Sequence, residues 1–363
     1  MANRTKILFI VEAMGGVFTY IVDLGNELAN MTDENGSCIY DMYIAYRIRK
    51  QTPKDYKRYF DKKIRMIQVE SFGRAINVWK DVKAFFEIGR IANKVEPDII
   101  HLHSSKAGAL GCAAFNRYKG EHEETLKLNK RAVYVNNGIN VNELEKNIGK
   151  IKVMDHPFTV FTLGRICYQK NPASFNQIAE AMPDVKFLWI GDGELREVLM
   201  SKNIEITGWV DRMTALEKSM TADVFMLTNL WGGVPISLRE VMYMKKPCEV
   251  SNVIGDCDVI HNNENRFVCD GSDGFAESVR KIQRDMKGYS FESVTGAAAV
   301  YLKAVVSGRT EKLVNKAYED VMEKYNTTVM ARSYAKIYGG IYSALIGLTL
   351  SSFTRIVLKK VVA

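Results

Sequence analysis

The chain has no C-x-x-C pair and no Cys/His set with the spacing of a zinc site. Its six cysteines, Cys38, Cys112, Cys167, Cys248, Cys257 and Cys269, are scattered over 363 residues. That excludes a disulfide framework and predicts thiols in a reducing cytoplasm. No apolar run reaches the roughly 20 residues that span a bilayer. The N-terminus MANRTKILFIVEAMGG offers only Ile7–Val11 as an apolar run and lacks a small-residue cleavage site, so it reads as a first strand, not a signal peptide. No helix-turn-helix, zinc-finger or RNP-type pattern accompanies the net charge of +8, which sets nucleic acid aside as a partner. A basic balance then suits an anionic membrane face or a phosphorylated ligand. No G-x-G-x-x-G follows Ile7–Val11, where EAMGGV stands instead, which argues against a nicotinamide-dependent oxidoreductase.

What is present is an ordinary globular composition, 47% hydrophobic and 25% charged, on a length suited to two domains. Short apolar runs alternate with helical periodicity through Ile99–Leu102, and the pattern restarts at Thr159–Leu163. Strand–helix alternation of this kind predicts parallel sheets. The fold class expected is α/β, with two doubly wound Rossmann-like domains facing across a cleft. The boundary is expected near residues 140–157, where Asn137-Gly138 supplies a turn and His156-Pro157 a break. This gives an N-terminal domain over 1–150, a C-terminal domain over 151–325 and a helical or interfacial tail over 326–363.

In such sheets ligands sit beyond the carboxyl ends of the strands. Five strand ends carry glycine, cation or acid: Gly15-Gly16, His103-Ser104-Ser105-Lys106, Gly164-Arg165 with Lys170, Gly191-Asp192-Gly193-Glu194, and LWGGVPISLREVM from Leu230. Arg165 and Lys170 are suited to a diphosphate, one as a planar fork and the other as a point charge. Pro235 is suited to the first position of a helix, where Ile236 and Ser237 present amides to a phosphate. Glu240, one turn further, can accept paired hydrogen bonds from vicinal hydroxyls. Of His101 and His103, on one side of a strand, His103 is the one expected at the cleft. Two imidazoles without a third ligand make no metal site, and Asp256-Cys257-Asp258 reads as turn chemistry, so no metal is expected.

These residues, in this order, resemble the GT-B glycosyltransferases of the large retaining group called family 4, notably those building bacterial capsular, exopolysaccharide or O-antigen chains. The resemblance runs through EAMGGVFTYIVDLGNELA, DIIHLHSSKAGALG, YVNNGIN, FTLGRICYQKNP, FLWIGDGELR, ITGW and PISLREVMYMKKPCEVSNVIGDCD. It implies transfer of a sugar, with retention, from a nucleotide donor, usually UDP-linked, to a saccharide or lipid-linked saccharide acceptor, without metal or cofactor. The scattered thiols, the net charge of +8 and the apolar tail with its basic end predict a cytoplasmic protein peripheral at the inner face of the cell membrane, with an anionic membrane surface as partner. By position, His103, Arg165 and Lys170 become the catalytic residues. Gly15, Gly16, Gly191, Glu194, Pro235, Ile236, Ser237 and Glu240 join Arg165 and Lys170 in donor binding.

Three departures stand out. The family's acid, seven residues, then acid is here Gly232 and Glu240, so the carboxylate that would grip the transferred sugar is missing. Only residues 112–132 stand where the family has a further strand, loop and helix, which predicts little more than two short helices there. The uncharged run Gly339–Thr354, followed by Arg355, Lys359 and Lys360, predicts an interfacial helix or a helix docked on the N-terminal domain. The alternative reading is a degenerate, non-catalytic protein that binds a nucleotide sugar or a partner enzyme.

Overall fold

The computed structural model describes residues 4–14, 18–49, 52–73, 77–103, 107, 135–153, 155–231, 235–253, 267–293, 300–339, 347–349 and 354–358. The chain first forms β1 (Thr5–Met14), α1 (Phe18–Ala29), β2 (Tyr40–Ile48), β3 (Arg65–Gln68), α2 (Val78–Val95) and β4 (Ile99–His103). There follow α3 (Val141–Ile148), β5 (Thr159–Leu163), α4 (Pro172–Ala181), β6 (Lys186–Ile190), β7 (Ile204–Ile206), α5 (Arg212–Met220), β8 (Val224–Leu227), α6 (Ile236–Tyr243) and β9 (Cys248–Ser251). The last elements are β10 (Phe267–Cys269), α7 (Gly271–Asp285), the antiparallel pair β11 (Met286–Ser293) and β12 (Val300–Val306), α8 (Gly308–Lys324), α9 (Thr327–Gly339), β13 (Gly347–Thr349) and β14 (Thr354–Leu358).

Two compact units result, Met1–Asn137 with Thr327–Ala363, and Gly138–Asn326. The crossing point therefore lies at Asn137/Gly138, ahead of the expected 140–157. The reason is α3, whose Leu144 and Ile148 are fully part of the second unit's core. The expected separate tail is also revised. Helix α9 belongs to the first unit: Tyr20 on α1 donates to the Tyr334 hydroxyl at 2.9 Å, and Thr327 and Thr328 reach Glu27. Of the residues beyond it, those described, Gly347–Thr349 and Thr354–Leu358, are strands where a helix was expected. Thr354-Arg355-Ile356-Val357-Leu358 is rich in β-branched residues, which favour a pleated strand.

The first unit's sheet has the order β13-β14-β4-β1-β2-β3. β1, β2, β3 and β4 run parallel, while β14 lies antiparallel to β4 with Thr354 opposite His103 and Leu358 opposite Ile99. An open strand edge presents unpaired N–H and C=O groups, and β14 supplies partners for those of β4. The two short helices expected within residues 112–132 lie outside the described residues.

The second unit is a parallel sheet, β10-β9-β8-β5-β6-β7. Its strands are apolar on both faces because both faces are covered by helices. Phe161, Leu188, Phe225 and Val250 meet α3, α5, α6 and α8 on one side. Val160, Phe187, Trp189 and Met226 meet α4 and α7 on the other. A helix expected after GDGE is only a 3₁₀ turn, Arg196–Val198. The turn stops there because Asn176 on α4 takes the Met200 and Ser201 amides at 2.8 and 2.9 Å and sends the chain toward β7.

Candidate functional site

The strand order of the second unit reverses between β5 and β8: β6 and β7 follow β5 on one side, β8, β9 and β10 lie on the other. Loops leaving two such strands diverge to opposite faces and leave a crevice at the carboxyl edge. The β5 loop carries Arg165 and Lys170, and the β8 loop carries Thr228 to Trp231. They are bound to each other. Thr228 Oγ1 donates to the Lys170 carbonyl at 2.9 Å, the Leu230 amide to Gln169 O at 2.9 Å, and Gln169 Nε2 to Trp231 O at 3.0 Å.

The β6 loop closes against the β5 loop on the other flank. A Cβ at Gly191 would stand 2.2 Å from the Gly164 carbonyl oxygen, and one at Gly193 would stand 2.0 Å from that of Ile166. Only glycine permits this approach. The Gly191 amide is taken by Thr207 Oγ1 at 3.1 Å, which gives this residue a role in joining loops. Trp189, fully buried on β6, donates its indole N–H to Gly164 O at 2.9 Å and fixes the start of the cationic loop.

Arg165 Nε bonds Glu194 Oε2 at 2.8 Å, and both side chains are half exposed. Such a pair is worth about 0–1 kcal/mol, so it can hold the guanidinium in place and still release it to an arriving anion. Lys170 ends the 3₁₀ turn Tyr168–Lys170, and its stem lies over Gly164, where a Cβ would come 3.6 Å from Cε. Asn171 follows in the left-handed region at φ 50°, and its side chain accepts the Ser174 amide to start α4. The loop is thus short and pinned at both ends.

Pro235 occupies the position before α6, one residue ahead of the expected first helical position, with ψ 154°. Its fixed φ suits this extended entry equally well. Ile236 and Ser237 open the helix, where first-turn amides have no intrahelical acceptor. Glu240 is 5% exposed, and Arg212 Nη2 on α5 bonds its Oε1 at 2.7 Å. A carboxylate at that depth needs a compensating charge, and Arg212 supplies it. The sequence reading missed Arg212. It lies 28 residues from Glu240, and nothing in ITGWVDRM marks it as a partner of that helix.

In the first unit His103 ends β4 and is 3% exposed, stacked on His101 with ring centroids 4.3 Å apart and flanked by Phe9 and Tyr20. Burial pulls its pKa down to about 3, so the ring is neutral across the physiological range. Among the described residues neither His101 Nε2 nor His103 Nε2 has a hydrogen-bond partner, and His101 Nδ1 is bonded to the Tyr338 hydroxyl at 2.8 Å. Gly15, Gly16, Gly232, Asp256 and Asp258 lie outside the described residues. Among the described residues, no group of three or more His, Cys, Asp or Glu could hold a metal ion, and no helix is long and apolar enough to cross a membrane.

Residues 157–285, which hold this crevice, match the family described as "Glycosyl transferases group 1". The chain is 24% identical over 285 residues to a UDP-Gal:alpha-D-GlcNAc-diphosphoundecaprenol alpha-1,3-galactosyltransferase of Escherichia coli, across 59% of this chain and 73% of the relative. It is 23% identical over 283 residues to an uncharacterized glycosyltransferase of Methanocaldococcus jannaschii, across 69% and 66% of the two chains. Sucrose-phosphate synthase from Thermosynechococcus elongatus is similar in structure, with TM-score 0.70, 14% identity and coverage of 93% of this chain and 99% of that chain. The Anabaena protein HepE, solved in complex with UDP and glucose, is similar with TM-score 0.67, 12% identity and coverage of 93% and 100%. These likenesses show the fold, two Rossmann-like units of the GT-B kind.

Proposed function

We propose that this chain is a retaining glycosyltransferase that moves a sugar from a UDP-linked donor to a lipid-linked saccharide at a membrane surface, in the synthesis of a surface polysaccharide. The observation that carries the reading is the β5–β8 crevice, with Arg165 and Lys170 on one short pinned loop, inside the segment that matches group 1 glycosyl transferases. The acceptor class follows the printed name of the Escherichia coli relative.

In this reading Arg165 and Lys170 hold the donor diphosphate, the opening amides of α6 face a phosphate, and Glu240, steadied by Arg212, accepts the ribose hydroxyls. The bond from the anomeric carbon to the phosphate oxygen breaks, and its electron pair leaves with the UDP. The two cations stabilise that developing charge without a metal. The acceptor hydroxyl attacks from the same face, and its proton goes to the departing phosphate oxygen. In this reading His103, a neutral imidazole at the end of β4, hydrogen-bonds a hydroxyl of the transferred sugar.

A second reading, a non-catalytic binder of nucleotide sugar, is favoured by Gly232, where a carboxylate would grip that sugar. Gly232→Glu separates the two. A hydrogen bond to a charged group is worth about 1.5–3 kcal/mol, so transfer or donor hydrolysis across UDP- and GDP-sugars is expected to rise roughly ten- to a hundredfold. Affinity for UDP alone should stay the same, because UDP carries no sugar. Activity at background in the variant, with UDP still bound, would favour the non-catalytic reading.

A further inference from the structure

The two faces of β4 differ in kind. Ile100 and Leu102 pack with Leu8, Ile10, Ala84 and Ile88 in an apolar cluster on the α2 side. His101 and His103 take the other face, because side chains alternate along a strand. Both are buried. Each imidazole carries two polar ring nitrogens out of water, so this face is costlier than packing alone requires.

A cage of rings surrounds the pair. Phe9 of β1 lies 4.7 Å from His101 and 4.8 Å from His103, centroid to centroid. Tyr20 of α1 stands edge-on to His103 at 5.6 Å, and Tyr334 of α9 lies 5.0 Å from His101. Tyr338, a turn further along α9, brings its hydroxyl to His101 Nδ1 at 2.8 Å. Burial raises the Tyr338 pKa well above the ordinary tyrosine range and lowers that of His101 well below the ordinary histidine range, so hydroxyl and imidazole are both neutral. A tyrosine hydroxyl has one hydrogen, and donating it to Nδ1 satisfies it. Accepting from Nδ1 instead would leave that hydrogen in the core without an acceptor among the described residues. The bond therefore puts the His101 proton on Nε2.

We infer that Tyr338 is a positioning residue for His103, acting through the ring of His101. The two imidazoles are stacked, with centroids 4.3 Å apart and planes 29° apart. Rings that close are in contact, so the orientation and tautomer of one set the surface and the dipole that the other meets. By holding His101, α9 keeps the His103 ring in one orientation at the end of β4. This rests on the proposed contact of His103 with the transferred sugar, and adds that a residue of the returning helix governs how well that contact is made.

The test is Tyr338→Phe, which keeps the ring and removes only the hydroxyl, beside Ile88→Val, which trims the core on the opposite face of the sheet. The chain has five histidines, so their nitrogen-15 signals can be assigned one by one. At neutral pH wild-type His101 is expected as a single neutral tautomer with its proton on Nε2. Tyr338→Phe should move His101 away from that tautomer and shift the His103 signals, and Ile88→Val should do neither. In sugar transfer Tyr338→Phe is expected to lower kcat roughly tenfold, with donor KM and UDP affinity within about twofold of the wild type. A wild-type His101 that is charged or carries its proton on Nδ1 overturns the inference. So do His103 signals that ignore the loss of the hydroxyl, an unchanged kcat, or an equal loss of kcat in Ile88→Val. A wild type that transfers no sugar would count against the transferase reading, and the histidine spectra would then still uphold or overturn the coupling of Tyr338 to His103.

Discussion

Replacing Arg165 and Lys170 together by alanine is expected to weaken UDP binding at least tenfold and to lower sugar transfer further still. In the proposed reading each cation contributes a charge-assisted hydrogen bond to the diphosphate worth about 1.5–3 kcal/mol, so losing both would remove roughly 3–6 kcal/mol of interaction. Transfer suffers more than binding because negative charge grows on the leaving diphosphate as the glycosidic bond breaks, and preorganised cations act most strongly there. The fold should be indifferent to the change. The Arg165–Glu194 pair is half exposed and contributes about 0–1 kcal/mol, so the melting temperature is expected to move little. Calorimetry with UDP and with uridine is the discriminating measurement. The double variant should lose affinity for UDP and keep it for uridine, which has no phosphate. Equal losses for both ligands, or none for either, would remove these residues from the diphosphate site.

The second large effect is on stability. Glu249 stands in the middle of β9, fully buried, between Met226 on β8 and Phe267 on β10. Among the described residues neither carboxyl oxygen has a hydrogen-bond partner. Burial pushes its pKa up to about 8. The neighbouring Cys269 thiol is raised to about 12, chiefly by its own burial and then by Glu249. Because the folded value lies above the unfolded 4.5, this group's contribution is complete below pH 4.5. It is lost progressively as pH rises to about 8. Across that window the loss amounts to about 4 kcal/mol for a shift of this size. Glu249→Gln has the same shape and no titration. It is therefore expected to match the wild type near pH 5 and to melt several degrees higher at pH 8. Thermal melts at the two pH values check this, and parallel pH slopes in the two proteins would sink it.

Some parts of this molecule were legible in the chain, and for a common reason. Ile7–Val11, Thr159–Leu163 and Val224–Leu227 are apolar runs short enough to be strands and separated by helical periodicity, so the α/β class and the parallel sheets follow from local pattern. Arg165 and Lys170 could be picked out because they come directly after such a run. Residues that matter through a distant partner could not be read this way. Arg212 carries no sign of its bond to Glu240, and Glu249 looks like any charged residue beside Lys245 and Lys246 until the sheet closes around it.

The sequence by itself determined the alternation of elements, the chemistry at the strand ends and the absence of a carboxylate at Gly232, all of which depend on neighbours a few residues apart. Tertiary structure alone decided where the chain crosses between units, because that rests on whether α3 buries Leu144 and Ile148 in one core or the other. It decided that α9 returns to the first unit, with Tyr334 and Tyr338 meeting Tyr20 and His101, residues more than 200 positions away. It also decided that His103 is neutral. Periodicity tells which residues share a face; only packing tells which faces find partners, since burial is a property of the whole chain's arrangement in space.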